Sequence, residues 1–131
     1  MALIHIEEGD TFTQIVRFDV PADKQLELID AIAGEVERWI RHRPGFISST
    51  FHASFDGRHV VNYAQWKSRA DFEGFTHDPE TKHLQKAIKA VALSLNPNAI
   101  HCRVTSVRNP PCEVCLPRAP AIERRCLSFA D

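Results

Sequence analysis

A chain of 131 residues with 44% hydrophobic and 25% charged side chains has the size and composition of one globular domain able to bury its own core. Its 16 Lys and Arg stand against 17 Asp and Glu, so no general basic footprint for nucleic acid or an anionic membrane exists. No apolar run approaches bilayer-spanning length, and Met1-Ala2-Leu3-Ile4-His5 has neither a basic region nor a long apolar segment, so the expected compartment is the cytoplasm.

After a polar lead-in ending at Glu7-Glu8-Gly9-Asp10, Phe12, Val16 and Phe18 alternate with Thr13, Ile15 and Arg17, which predicts a half-buried strand over 11–18. Val20-Pro21-Ala22-Asp23 stops it and opens a helix, expected to run to about Arg41 with Leu26, Ile29, Ile32, Ala33, Val36, Trp39 and Ile40 as its apolar stripe. Pro44-Gly45 ends that helix. Strands follow over 46–55 and 58–66, joined at Asp56-Gly57, a strong hairpin signal. Ser68-Arg69-Ala70-Asp71 begins a short helix carrying Phe72 and Phe75, and Asp78-Pro79-Glu80 opens another with Leu84, Ala87, Ile88 and Val91 inward. Asn96-Pro97-Asn98 breaks it before a fourth strand over 100–107. This order, strand, helix, two strands, short helices, strand, predicts an α+β unit with an antiparallel sheet and helices on one face. Residues 1–108 are read as the domain and 109–131, with four prolines and no apolar period, as a tail.

The hairpin carries the chemistry. With Asp56-Gly57 as the turn, Ala53 pairs with Val60, Phe51 with Asn62, Ser49 with Ala64 and Ile47 with Trp66. One face then bears Ile47, Phe51, Ala53, Val60, Asn62, Ala64 and Trp66, an apolar wall interrupted by a carboxamide. The other bears Ser48, Thr50, His52, Ser54, His59, Val61, Tyr63 and Gln65, as expected of a surface that meets another subunit. Asn62 and Trp66, four residues apart on a strand, share a face; both need hydrogen-bond partners, and a pocket that leaves part of that need to a ligand is a polar handle in an apolar wall. The structural alternative is a packed indole and an amide tied to backbone.

Cys102, Cys112, Cys115 and Cys126 follow no framework spread through the fold and are read as reduced thiols. A zinc site would need His101 or Cys102 beside the Cys112-x-x-Cys115 pair and Cys126, with no second knuckle, so no metal is expected. No phosphate-binding glycine loop or nucleophile elbow occurs.

The segments Glu37-Arg38-Trp39-Ile40-Arg41, Pro44-Gly45-Phe46, Phe51-His52-Ala53-Ser54, Asp56-Gly57 and, most specifically, Asn62-Tyr63-Ala64-Gln65-Trp66 resemble the antibiotic-biosynthesis monooxygenases over residues 11–107. The resemblance implies a ferredoxin-like fold and a homodimer whose two sheets close into an α+β barrel, each subunit keeping its own pocket. It also implies oxidation of an anthrone- or naphthacenone-type phenol to a quinone by molecular oxygen, with neither metal nor flavin. Asn62 matches the amide that would bind the developing oxyanion, and Trp66 the indole that would orient the substrate or the peroxy intermediate. Phe51, Phe72, Gln85, His52 and His77 complete the expected substrate-binding set. One type in the family has a Tyr where this chain has Phe72 and an Arg near Gln85. Phe72 cannot donate a proton and Gln85 supplies no charge, so deprotonation falls to another group, His52 or His77, or to a substrate that ionises itself. A related branch degrades haem through an Asn on the first strand, where this chain has only Gln14. A non-catalytic barrel that binds a small aromatic molecule is the remaining alternative.

Overall fold

The computed structural model describes residues 4–93 and 97–111. Cys112, Cys115, Cys126, Asn96 and the greater part of the expected tail lie outside the described residues. The chain divides into two compact units, Asp10–Arg103 and a smaller one formed by the segments before and after it. Within the smaller unit the Val107 backbone N–H donates to the Glu8 carboxylate at 3.2 Å.

In chain order the elements are β1 (Gly9–Asp19), α1 (Gln25–Arg38), a 3-10 turn at Ile40–His42, β2 (Phe46–Ala53), β3 (His59–Trp66), α2 (Arg69–Thr76), α3 (Thr81–Lys89) and β4 (Asn98–Val104). The strands form one sheet in the order β2-β3-β1-β4, with β3 antiparallel to both β1 and β2. This is the α+β arrangement with an antiparallel sheet expected from the element order, and the ferredoxin-like fold that the resemblance implies. Among the described residues no helix is long and apolar enough to cross a membrane.

Several boundaries move for local reasons. Helix α1 starts at Gln25 rather than just after Pro21, because 21–24 close a turn in which the Lys24 N–H donates to the Pro21 carbonyl and Asp23 takes φ 71°. Its buried stripe contains Leu28 and Ile32, whereas Leu26, expected inside, is 70% exposed. The apolar period is that of the helix, but Leu28 rather than Leu26 faces the sheet. The α1 helix also gives way earlier than Arg41, tightening into the 3-10 turn that aims the chain at Pro44.

The hairpin register agrees with the expected one at Ala53–Val60, Phe51–Asn62 and Ser49–Ala64. The loop itself is longer than two residues: Ser54 N–H donates to His59, Gly57 N–H donates to Ser54, and Gly57 sits at φ 79°. A four-residue loop preserves the same pairing because it adds one residue to each side. Further along, an irregularity between Phe46 and Ser48 places Phe46, not Ile47, opposite Trp66; Ile47 turns out to 43% exposure.

Two buried clusters form where helices meet the sheet. One gathers Val16, Phe18, Val20, Leu28, Ile32, Val60 and Ile88; the other gathers Phe12, Trp39, Ile40, Trp66 and Phe72. The α2 start is fixed by Ser68, whose hydroxyl accepts from the Asp71 backbone N–H at 3.1 Å. Gly45, at φ 81°, lies so close to Asp71 that a Cβ there would overlap its carboxylate. Gly45→Ala should therefore cost about 2 kcal/mol or more in chemical denaturation, since it adds a clash to an unfavourable φ, whereas Gly57→Ala, with nothing near its added Cβ, should cost only about 1 kcal/mol. Equal losses in the two variants would remove the clash from the account.

Candidate active site

A cavity of about 250 Å³ lies between the sheet and the three helices, lined by residues of both buried clusters. Its floor is set by strand register. Across β1, β3 and β2, one row reads Phe12–Trp66–Phe46, the next Gln14–Ala64–Ser49 and the next Val16–Asn62–Phe51. Ala64 is the smallest member of this central strand segment, and its missing bulk leaves a hollow flanked by Gln14 and Ser49. The roof comes from Val36 and Ile40 after α1's first turns, Phe72, Phe75 and Thr76 around α2, and Thr81, Leu84, Gln85 and Ile88 on α3. Two ion pairs hold the α2–α3 junction in place, Arg38 to Glu80 and Arg43 to Asp78, each at 2.9 Å. Hydrogen bonds to Glu80 and Glu35 push the Arg38 guanidinium further toward its charged form.

Asn62 is oriented by a neighbour. The Ser49 hydroxyl donates to Asn62 Oδ1 at 2.6 Å, which assigns the carbonyl end of the amide to β2 and leaves the NH₂ end free to donate. Trp66 is 2% exposed and boxed by aromatics: Phe75 stacks on it at 5.1 Å, while Phe46 and Phe72 meet it edge-on at 5.3 and 6.1 Å. Its indole N–H has no hydrogen-bond partner among the described residues, in contrast to Trp39, whose N–H donates to Glu35 at 3.0 Å. The floor thus presents two donors, an amide and an indole, over an apolar hollow.

Of the residues singled out from sequence, Asn62, Trp66, Phe72 and Gln85 line the cavity together. Phe51 does not; it pairs with Asn62 across the hairpin and packs on the cluster around Val16 and Phe18. His52 is exposed and, by the alternation of β2, points to the opposite face from Ser49 and Phe51. His77 caps the end of α2, with Nδ1 2.8 Å from the Glu73 carbonyl, and is likewise exposed and outside the lining. Among the described residues that line the cavity there is no Asp, Glu, His, Lys, Arg, Tyr or Cys. Gln14, weighed from sequence only against the haem-degrading branch, and Ser49, not singled out at all, also line the cavity; the expected pairing of Ser49 with Ala64 is the available signal for Ser49, because alternation puts it on Asn62's face.

Residues 11–87 match the family described as antibiotic biosynthesis monooxygenase. The chain belongs to that family. It is 45% identical over 96 residues to tetracenomycin-F1 monooxygenase of Streptomyces glaucescens, the alignment covering 73% of this chain and 83% of that protein. The monooxygenase of ActVA-Orf6 from Streptomyces coelicolor, solved with the ligand nanaomycin D, superposes with a TM-score of 0.71 at 36% identity, covering 77% of this chain and 93% of its own. SnoaB of Streptomyces nogalater, described as a cofactor-independent oxygenase, shares the fold with a TM-score of 0.57 at 21% identity over 79% of this chain and 99% of its own. These relationships make the chain a monooxygenase.

The hydroxyl that orients Asn62 is separable from the fold. Ser49→Ala frees the amide to turn without opening the core, so the turnover number should fall about threefold to tenfold while the melting temperature stays within about 3 °C of wild type. A loss of stability as large as the loss of turnover would make Ser49 a packing residue instead.

Proposed function

We propose that this monooxygenase oxidises an aromatic polyketide phenol of the anthrone or naphthacenone type to a quinone with molecular oxygen and without a cofactor. The observation that carries the reading is the pair of free donors, the Asn62 NH₂ and the Trp66 N–H, held over an aromatic-lined hollow with no ionisable side chain among the described lining residues. Its support is the family membership together with the relatives' names, one a tetracenomycin-F1 monooxygenase and one a monooxygenase solved with the ligand nanaomycin D. The haem-degrading and the non-catalytic readings draw no comparable support.

In this reading the substrate's ring methylene loses a proton, and the charge moves to the neighbouring ring oxygen. Asn62 donates to that oxyanion. A preorganised donor in a dry site is worth about 3 kcal/mol of stabilisation, and the Ser49 bond keeps it from turning away. An electron then passes from the electron-rich ring to oxygen, the two radicals combine at the same carbon, and the peroxide collapses: one oxygen stays as the quinone carbonyl, the other leaves as water with both methylene hydrogens. Trp66, wedged among Phe46, Phe72 and Phe75, orients the ring and donates to the peroxide. Among the described lining residues none is suited to act as general base, so the substrate enters already ionised or passes its proton to water. Phe72, which has no hydroxyl, serves as an apolar wall.

The enzyme is expected to act in the cytoplasm as a homodimer formed through the sheet face opposite the helices, where Thr50 and Tyr63 are paired neighbours. The Thr50 hydroxyl is buried there without a partner among the described residues. Sedimentation equilibrium should give about twice the 14.8 kDa chain mass; a monomer at every concentration would end the dimer reading.

Oxygen uptake on adding a dihydroxyanthrone to chelator-treated, flavin-free protein is the direct test. Wild type should form the anthraquinone well above the uncatalysed rate, while Asn62→Ala loses about a hundredfold in turnover and Trp66→Phe about tenfold. The rate should rise with pH through the substrate's own ionisation and move with it when a more acidic anthrone is used. A midpoint that stays fixed across substrates would mean that a protein group takes the proton.

A further inference from the structure

Helix α3 carries Lys82, Lys86 and Lys89 on one side, at spacings of four and three residues. Together with Thr81 and Gln85 they line a surface depression, and Thr81 and Gln85 also line the cavity, so the two spaces adjoin along α3. None of the three ammonium groups has an ion-pair partner among the described residues. The helix itself, Thr81–Lys89, contains no carboxylate, and the two acidic groups just before it are engaged elsewhere, Glu80 by Arg38 and Asp78 by Arg43. Like charges one turn apart repel, and Lys82 sits in the first turn, where the helix dipole disfavours a cation, whereas Lys86 and Lys89 lie in the last turn, where the dipole favours one. A row of cations without ion-pair partners among the described residues, beside a cavity whose described lining holds no charge, points to an anion.

We propose that Lys82, Lys86 and Lys89 form an anion-binding rim at the cavity mouth that takes a carboxylate borne by the aromatic substrate, while its rings lie over Ala64. The inference deepens the reading of the cavity as a polyketide-oxidising site and rests on it. The rim spans about 10 Å along the helix axis, enough to meet a carboxylate projecting from either edge of a fused-ring system. It divides recognition in two: hydrogen bonds from Asn62 and Trp66 read the reacting ring, and the α3 ammonium groups read the substituent. Gln85, between Lys82 and Lys86 and lining both spaces, lets the substrate pass the rim without placing a fixed charge over the reacting carbon. These lysines are positioning residues; they do not touch the atoms that react.

The test compares a dihydroxyanthrone carboxylic acid with its methyl ester at low ionic strength, by turnover and by quenching of Trp fluorescence with the corresponding quinones. Wild type should favour the acid by about fivefold in kcat/KM, chiefly through KM, and in quinone binding, as expected of solvent-exposed ion pairs acting together. The preference should fade as salt is raised. It should vanish in the Lys82→Gln/Lys86→Gln double variant and persist in Lys67→Gln, a lysine at the end of β3 away from the cavity lining. Equal treatment of acid and ester by wild type, or a preference that survives in the double variant, overturns the rim. Failure to oxidise either compound, with the acid quinone still bound preferentially through the lysines, overturns the oxidation reading and leaves the anion rim standing.

Discussion

The antiparallel pairing of β3 with both of its neighbours is the constraint on which the rest of this molecule depends. Because strand side chains alternate, the register decides in one stroke that Asn62, Ala64 and Trp66 face the helices and that Gln14, Ser49 and Phe46 lie beside them. A slip of one residue would put Tyr63 and Gln65 on the floor and send both donors to the outer face. The register is itself secured at both ends. At one end Gln25 Nε2 donates to the carbonyls of Ser54 and His59, each at 2.9 Å, tying the start of α1 to the hairpin loop. At the other end the Lys67 N–H donates to the Gly45 carbonyl at 2.8 Å, beyond the irregularity at Ile47.

That irregularity matters for the site. By adding a residue to β2 it turns Phe46 inward against the edge of the Trp66 indole, closing the aromatic box that Phe72 and Phe75 begin. With Ile47 there instead, the box would lose a ring and the indole some of its fixed direction. The small Ala64 is the counterpart of these large neighbours. A cavity in a closely packed interior needs a missing side chain, and here it is missing between two polar ones, so the hollow and the groups that address its contents arise from the same row.

Much of this was legible before any coordinates. Asp56-Gly57 dictated the hairpin, and alternation along β3 put Asn62 with Trp66; both depend on local backbone chemistry, which sequence records directly. What was hidden depends on three dimensions. Leu26 and Leu28 are equally good helix residues, and only the tilt of α1 over the sheet decides that Leu28 is buried. Ile47 is a better strand residue than many, yet the extra residue in β2 is a property of how two strands finish against Gly45. The histidines stood out because their chemistry suits a base near neutral pH, but residue type carries no direction: His52 is exposed on the outer side and His77 closes the end of α2. Ser49, chemically plainer, gains its importance from a 2.6 Å bond to Asn62.

The lack of ionisable groups among the described lining residues follows from the same packing that makes the cavity. A charge held under Leu84 and Ile88, against Trp66 and Phe75, would be stripped of water, and an isolated ion in such surroundings is expensive unless paired. A neutral amide can be kept there because the Ser49 hydroxyl satisfies its acceptor end, and in the proposed reaction its donors serve whichever oxygen becomes negative. Neutral donors of this kind favour an anion over its conjugate acid without being titrated themselves, so they lower the substrate's ionisation free energy at any pH at which the protein is folded. The charge nearest the cavity stands on α3 at the surface, where water solvates the ammonium groups. The reacting centre then sits among hydrogen bonds and aromatic faces, and the long-range attraction that brings an anion to it comes from outside the wall.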